Sequence, residues 1–319
     1  MIQTLSWTGA VSQLLEIVLA LALAPLLTGW VNQCRAWLQN RSAPSILLPY
    51  FTLAKLFNKD AVIAQNASPI FRITPYVLFG CMWLAAGIVP VLATGLPFAP
   101  AADIIALVGV FALARMFSAL AAMDIGTSFG GLGARREMLI GFLAEPAMLM
   151  TLFTAAFISG STQLTTIVDT LAHREFALYP SLAFAAVAFL MVLLAENARI
   201  PIDNPTTHLE LTMVHEALIL EYSARHLALI EWAVAIKLFA YMTIGIALFA
   251  PWGIADAGDW SALPYAFAAL AGKLALAGAG LAVIETLLAK LRLFLAPEFL
   301  STAFLLAVLG MLTHFLVKG

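Results

Sequence analysis

A row of ionisable residues lies between residues 196 and 225, where the sequence reads ENARIPIDNPTTHLELTMVHEALILEYSAR. Carboxylates at this density can line a hydrophilic cavity that carries protons or docks a partner. The alternative is a solvated loop in which the arginines form ordinary surface ion pairs. The acidic members of the row are Glu196, Asp203, Glu210, Glu216 and Glu221, with Glu231 shortly after it, and the counter-charges are Arg199 and Arg225.

The spacing within this row predicts how the carboxylates are arranged. Pro201 and Pro205 break any helix, and a helical pattern resumes at Thr206. Glu210 and Glu221 are eleven residues apart, close to three whole turns. On an unbroken helix both carboxylates would therefore lie on one face.

The pattern of histidines and cysteines argues against a metal centre. His208 and His215 are seven residues apart, roughly 10.5 Å of helical rise, so one helix cannot bring both to one ion. No histidine follows His215-Glu216 at the spacing of the HExxH zinc motif. Cys34 and Cys81 are far apart in the chain and form no cluster typical of zinc or iron–sulfur centres. We therefore predict no catalytic residue and no metal site in this chain.

Charges also interrupt the long apolar segments, where an ionised side chain costs at least ~2.5 kcal/mol. Glu145 is one, and it precedes Pro146, which frees the backbone carbonyl of Phe142. A carboxylate beside a free carbonyl is a candidate water or proton site, and a purely structural kink is the alternative. The other charges in apolar runs are Glu16, Arg115, Lys237, Lys273 and Glu285. For Glu16 and Lys273 the alternative is snorkelling to a helix end.

The composition indicates that these charges belong to a membrane protein. Of the 319 residues 63% are apolar and 11% charged, whereas a soluble domain has roughly 45–50% and about 25%. The net charge of −2 provides no basic surface for nucleic acid. We predict an all-α polytopic membrane protein, one membrane domain over residues 1–319 with about eight transmembrane helices. The predicted spans lie near residues 12–33, 74–96, 102–122, 138–160, 178–196, 227–250, 262–288 and 298–317.

The distribution of lysine and arginine predicts the orientation. These residues are abundant in the odd-numbered connections and scarce in the even-numbered ones. The positive-inside rule then places the odd connections in the cytoplasm and both termini outside it. In the first connection, residues 46–57 mix apolar and basic side chains without a run long enough to span. This pattern predicts a helix at the cytoplasmic interface, for which a plain surface anchor is the alternative role.

Four blocks resemble the complex I subunit 1 family, and within it the membrane subunits of formate hydrogenlyase and hydrogenase-4 (group 4 nickel–iron hydrogenases). The blocks are LLPYFTLAKLFNKD at 47–60, FSALAAMDIGTSFGGLGARREM at 117–138, LAEPAML at 143–149, and ENARIPIDNPTTHLEL at 196–211 with EYS at 221–223. With the spans, the resemblance covers nearly the whole chain. Thr206 and His208 stand where quinone-reducing members carry an acidic pair, and Thr52 where the family often has aspartate. These departures favour a hydrogenase-type assembly.

The resemblance implies a membrane-anchoring and ion-coupling subunit of an oxidoreductase complex in a bacterial or archaeal inner membrane. It implies no redox centre in this chain, with iron–sulfur clusters and a nickel–iron centre in partner subunits. The expected partners are soluble hydrogenase-like and iron–sulfur subunits on the cytoplasmic side, and antiporter-like membrane subunits. The alternatives are the quinone-module subunit of a respiratory NADH dehydrogenase and a stand-alone ion transporter. The lack of an internal repeat in the sequence counts against a transporter.

The resemblance also assigns roles to residues. The implied ion-coupling and cavity groups are Glu145, Glu196, Asp203, Glu210, Glu216, Glu221 and Lys237, with Arg199 holding down the net charge of the cluster. Four glycines would permit tight turns after the third span, and the charged residues behind them would meet the soluble arm. These are Gly126, Gly130, Gly131 and Gly133, followed by Arg135, Arg136 and Glu137. A phosphate-binding loop is the alternative, but no Gly-Lys-Ser or Gly-Lys-Thr follows.

Overall fold

The computed structural model describes residues 7–94, 97, 101–173, 180–203, 214–255, 261–289, 291 and 295–318. Over this part of the chain it forms eleven α-helices. They are α1 (Trp7–Leu38), α2 (Leu48–Phe57), α3 (Pro69–Ile88), α4 (Ile104–Asp124), α5 (Ser128–Ser159), α6 (Leu164–His173), α7 (Pro180–Glu196), α8 (His215–Ile219), α9 (Ala224–Phe249), α10 (Leu263–Leu287) and α11 (Ala296–Lys318).

Each of the eight predicted spans coincides with a helix, and the prediction of an all-α polytopic membrane protein is confirmed. Seven described helices, α1, α3, α4, α5, α9, α10 and α11, are long and apolar enough to cross a membrane. The eighth, α7, is apolar, but its 17 residues rise only about 26 Å. The predicted second span is too long, since α3 ends at Ile88 and Pro90 forces Val89 into an extended conformation.

The helices form a ring with an outer layer. α3, α4, α5, α7 and α9 each pack against the next and close the ring between α9 and α3. α9 is the most enclosed span, since 67% of its apolar window is buried, compared with 28% for α10 and α11. α1 and α10 pack together on one side of the ring, and α11 covers α5 and α7 on another. Charged side chains inside this ring are therefore shielded from lipid.

The helix predicted in the first connection is present as α2. It lies against α1 and α9, and the Tyr50 hydroxyl donates a hydrogen bond to the Ala22 carbonyl of α1. A Cβ at Gly29 would overlap the Ile46 carbonyl, so glycine lets the chain cross α1 closely. Phe51 remains 63% exposed on the outer side of α2. We call the end of the bundle that carries α2 the α2 end, and the other the opposite end.

The glycine-rich segment after the third span is mainly helix, so the prediction of tight turns is wrong for three of its glycines. Only Gly126 has a positive φ, 75°. α5 begins directly afterwards, with the Thr127 side chain accepting a hydrogen bond from the Gly130 amide at 3.3 Å. Gly130 and Gly133 allow close packing instead, since a Cβ would meet the Ala122 carbonyl and Ala217, respectively. Gly131 lies on the same helix without such a contact.

The prediction of an unbroken helix reaching Glu221 is also wrong. α8 ends at Ile219, and the Tyr222 amide closes a turn onto the Ile219 carbonyl at 3.0 Å. Glu221 is exposed on this turn, and Arg225 belongs to the next helix, so the two share no helix face. The physical reason is tertiary packing, because α8 buries Leu218 and the turn then buries the Tyr222 ring. Glu210 and His208 lie outside the described residues.

Candidate functional site

Arg115, in the middle of α4, is the centre of a network of charges inside the helix ring. Its guanidinium is paired with Glu145 on α5 and Glu196 at the end of α7, and its Nε lies 3.6 Å from Glu137 Oε1. Lys237 Nζ on α9 is 3.0 Å from Glu196 Oε2, and His215 Nδ1 on α8 is 3.9 Å from Glu137 Oε2. We call this set, Arg115, Glu137, Glu145, Glu196, His215 and Lys237, the Arg115 cluster.

The spacing on α5 explains how this helix receives an arginine. Glu137, Gly141 and Glu145 follow one another at four-residue intervals, so they lie on one face in successive turns. Glycine in the middle position leaves a gap between the two carboxylates. A Cβ at Gly141 would overlap the Arg115 guanidinium, so the arginine occupies this gap. The sequence of α5 thus provides a gap between two carboxylates that fits one cationic side chain.

The charges of the cluster nearly balance. Two cations, Arg115 and Lys237, face three carboxylates, which leaves one negative charge when all five groups are ionised and His215 is neutral. Arg115, Glu137, His215 and Lys237 also border a cavity of 40 Å³. That volume exceeds what one water molecule needs, and its walls supply hydrogen-bonding groups. The cluster can therefore hold water between titratable groups.

Burial changes along the cluster. The Glu196 side chain is 2% exposed and Arg115 7%, whereas Glu145 is 35% exposed. Glu145 is the eighteenth of 32 residues in α5, so it lies near the middle of a long spanning helix. The exposed fraction of the side chains thus rises along the cluster from Glu196 to Glu145. Pro146 follows Glu145 within a continuous helix, so proline does not end α5.

Arg199 does not join the Arg115 cluster, although the sequence interpretation gave it that role. Its Nη1 is 3.2 Å from Glu285 Oε1 on α10, and Arg35 Nη1 on α1 is 3.5 Å from Glu285 Oε2. This second group, the Glu285 triad, joins α1 and α10 to the connection after α7. Ala198, with a φ of 49°, turns the chain at the end of α7 and carries Arg199 away from Glu196. The sequence could not reveal this turn because alanine rarely adopts it.

The remaining predicted cavity residues are dispersed. Asp203 is buried, and its Oδ2 accepts hydrogen bonds from the amides of Val214 and His215 at 3.2 and 3.3 Å. It therefore fixes the start of α8, which carries His215 to the cluster. Glu216 is half-buried on α8. Among the cavity residues that were predicted, the structure brings Glu145, Glu196 and Lys237 together.

Of the three charged residues assigned to the docking loop, one is placed differently by the structure. Arg135 is exposed and Arg136 half-buried on the first turns of α5, where a partner could reach them. Glu137 is buried and belongs to the Arg115 cluster instead. The helical period decides this, because adjacent residues on a helix point about 100° apart.

The turn before α9 and the ends of α3 and α4 are held together at the α2 end. The Tyr222 ring stacks on Phe71 at 4.0 Å, and its hydroxyl donates to the Phe71 carbonyl at 3.0 Å. Burial raises the pKa of Tyr222, so this hydroxyl stays a donor. The Ser68 amide donates to Asp124 at 2.8 Å. These contacts join the segment before α3 to the end of α4 and the start of α9 in one continuous surface.

Three cluster members were seen in the sequence but given no coupling role: Arg115, Glu137 and His215. Arg115 carried a signal, since an arginine in the middle of an apolar span needs a buried partner. The four-residue spacing of Glu137, Gly141 and Glu145 was a second signal. His215 had no such signal in the sequence, because its position in the cluster depends on how α8 packs against the other helices. Within the described residues, no group of three or more His, Cys, Asp or Glu side chains could hold a metal ion.

Charges at the opposite end have backbone partners. Glu16 is 4% exposed, and its Oε1 accepts hydrogen bonds from the amides of Val91, Leu92 and Ala93 at 3.2, 2.7 and 3.1 Å. Lys273 donates to the carbonyls of Ala250, at 2.7 Å, and Trp252. Glu16 is therefore enclosed rather than extended to the membrane surface. Both side chains hold irregular backbone in place.

The fold and the buried ion-pair network define a polytopic membrane protein of the complex I subunit 1 type. The family described as NADH dehydrogenase matches residues 11–316, and the chain belongs to this family. Formate hydrogenlyase subunit 4 of Escherichia coli (strain K12) is 32% identical over 297 residues, 93% of this chain and 96% of that protein. Hydrogenase-4 component C of the same organism is 36% identical over 244 residues, 76% of each chain. The resemblance seen in the sequence blocks is confirmed.

A solved structure has the same fold. It is a chain of the membrane-bound sulfane sulfur reductase, an archaeal respiratory membrane complex, with a TM-score of 0.79. The match covers 94% of this chain and 97% of that one at 19% identity, a level at which the likeness shows the fold alone.

Proposed function

We propose that this protein is the membrane subunit of a hydrogenase-type oxidoreductase complex and that it links redox chemistry in a soluble arm to proton or sodium movement. The relatives named after formate hydrogenlyase and hydrogenase-4 support the assembly. The Arg115 cluster is the observation that carries the coupling role. In this proposal the chain itself has no redox centre, and partner subunits hold the iron–sulfur clusters and a nickel–iron centre.

The cost of burying charge supports a coupling role. A buried ion pair is often no more stable than apolar residues of the same volume, so a cluster of five charges is poor evidence for stability alone. Carboxylates this close cannot titrate independently, and protons redistribute among them as one coupled unit. A change in the charge of one member therefore alters proton binding at the others. This is the property that ion coupling requires.

The position of Glu145 supports a membrane partner. A carboxylate that is 35% exposed near the middle of a spanning helix would face hydrocarbon if the chain were alone. An adjoining membrane subunit with polar groups would cover this surface and continue the path of charges. Antiporter-like subunits, which we expected from the sequence, have suitable chemistry because they carry ions through the membrane.

The α2 end supplies a surface for the soluble arm. Lys59 is exposed directly after α2, and Arg135 is exposed on α5. In the orientation predicted from the lysine and arginine distribution, this surface faces the cytoplasm and both termini lie outside it. Cysteines introduced at exposed positions 59 and 135 should react with impermeant reagents from the cytoplasmic side. Labelling of both from the outer side only would contradict this orientation.

The coupling role is tested with Glu145→Gln and Glu210→Gln in the whole complex, with Glu298→Gln on an exposed turn of α11 as the matched control. Each variant keeps the shape of the side chain and removes a titratable charge. The first two should assemble and transfer electrons from artificial donors, yet lose ion translocation. Failure to assemble would make these groups structural ion pairs. Normal translocation in both would contradict the proposal, and quinone-dependent turnover of the complex would favour the quinone-module alternative.

A further inference from the structure

A polar pocket of 680 Å³ lies beside the last turns of α1 at the α2 end. Among the described residues that line it are two arginines and no carboxylate. The polar lining residues are Asn32, Arg35, Gln39, Arg41 and Ser42, and Ile200 closes one side. A pocket with this charge is suited to an anion.

The first arginine, Arg35, shares its counter-ion with a second arginine. Arg35 and Arg199 both contact the single carboxylate of Glu285, which is 4% exposed. Within the described residues, this triad therefore carries one more positive than negative charge. The Arg35 Nη2 also donates to Asn32 Oδ1 at 3.2 Å, which fixes the guanidinium at the pocket wall.

The second arginine, Arg41, is held in place by the end of the helix. Asn40 has a φ of 52°, and its amide donates to the Trp37 carbonyl at 3.0 Å. The Arg41 amide donates to the Ala36 carbonyl at 2.9 Å, which completes a Schellman motif. Within the described part of the chain, the Arg41 side chain forms no hydrogen bond or ion pair. Its charge is available to a ligand.

The surroundings of the pocket identify the class of anion. Exposed apolar side chains border it on the end of α1 and the start of α2: Trp37, Leu38, Leu47, Leu48 and Phe51 are 54%, 52%, 45%, 49% and 63% exposed. A tryptophan at the end of a spanning helix is typical of the interface between headgroups and hydrocarbon. A soluble anion would use the arginines but not this apolar border, whereas a phospholipid would use both.

We propose that this pocket binds the phosphate headgroup of an anionic phospholipid, whose acyl chains lie along the exposed apolar side chains of α1 and α2. Cationic pockets between membrane helices bind such headgroups by the same combination of forces. The lipid would join the end of α1 to the connection after α7, because Arg35 and Ile200 both line the pocket. This proposal does not depend on the coupling role.

The test titrates phosphatidylglycerol into the delipidated whole complex and measures bound lipid by native mass spectrometry. Arg41→Gln should weaken binding about five-fold, the effect of one arginine at a membrane surface. Arg41→Lys should stay close to the wild type. Arg72→Gln, which removes an exposed arginine outside the pocket at the same end, is the matched control and should bind as the wild type does.

Two further ligands distinguish a phospholipid headgroup from a free phosphate ion as the group that the pocket binds. Phosphatidylcholine should bind more weakly than phosphatidylglycerol, and inorganic phosphate should not displace the lipid at millimolar concentration. Displacement by inorganic phosphate would show a site for a free anion and overturn the lipid assignment. Equal binding of the two lipids, or an equal loss in Arg41→Gln and Arg72→Gln, would overturn the pocket itself.

Discussion

The carboxylates of the Arg115 cluster and those at the opposite end of the bundle satisfy their charges in different ways. Glu145 and Glu196 are paired with the side chains of Arg115 and Lys237. Glu16 instead accepts three backbone amide hydrogens. Asp103, which caps the start of α4, accepts from the Ile105 amide at 2.7 Å and the Thr162 hydroxyl at 2.6 Å.

This difference separates structural carboxylates from candidates for coupling. A backbone amide donates its hydrogen and cannot change its own charge, so a carboxylate held by amides has no titratable partner among these contacts. Carboxylates that share cations with one another respond to every change of charge among their neighbours. We therefore infer that ion coupling belongs to the Arg115 cluster, while Glu16 and Asp103 hold the opposite end together.

The largest effect is expected from removal of the central cation. Arg115→Gln leaves the buried Glu196 and the half-buried Glu145 without their main counter-ion, which should cost about 3–5 kcal/mol. We expect little assembled complex in size-exclusion profiles and a much lower thermal midpoint. Arg115→Lys should be intermediate, and Arg72→Gln, on the exposed first turn of α3, is the matched control. Normal assembly of Arg115→Gln would show that the cluster is not enclosed.

An intermediate effect is expected at the opposite end. Glu16→Gln keeps one carbonyl acceptor for the three amides but introduces an amide donor where Oε2 is buried without a hydrogen bond. A buried amide donor without an acceptor should cost about 1–3 kcal/mol in stability. The thermal midpoint should fall while ion translocation per assembled complex is unchanged. A stable variant that loses translocation would place Glu16 in the ion path and remove the distinction between the two regions.

The smallest effect is a pH dependence at Asp103. The Thr162 hydroxyl, with the Ile105 amide, holds the pKa of Asp103 below its ordinary value despite partial burial. This contribution to stability is present above the unfolded-state pKa of about 3.9 and is lost as the pH falls through the folded-state pKa. Thr162→Val should reduce the stability at neutral pH by about 1 kcal/mol or less. Thermal midpoints at pH 7 and pH 3 should differ less in the variant, and an unchanged difference would contradict this role.

Much of the fold follows from the sequence because hydrophobic length and charge distribution are local properties. Each predicted span coincides with a helix, and α2 forms in the first connection as its mixed pattern indicated. The limits of this reasoning appear where distant segments meet. The helix predicted to reach Glu221 stops at Ile219, since burial of the Tyr222 ring against Phe71 stabilises a turn that no local pattern encodes.

In the candidate site, too, some features follow from the local sequence and others from contacts between distant segments. The sequence alone determined that charges lie in apolar spans, and that Glu137, Gly141 and Glu145 share one face of a helix. Only the tertiary structure decided which charges meet: Glu196 pairs with Arg115, and Arg199 turns away to Glu285. The physical reason is that helix periodicity fixes the direction of a side chain relative to its own helix, whereas an ion pair between helices depends on how those helices pack.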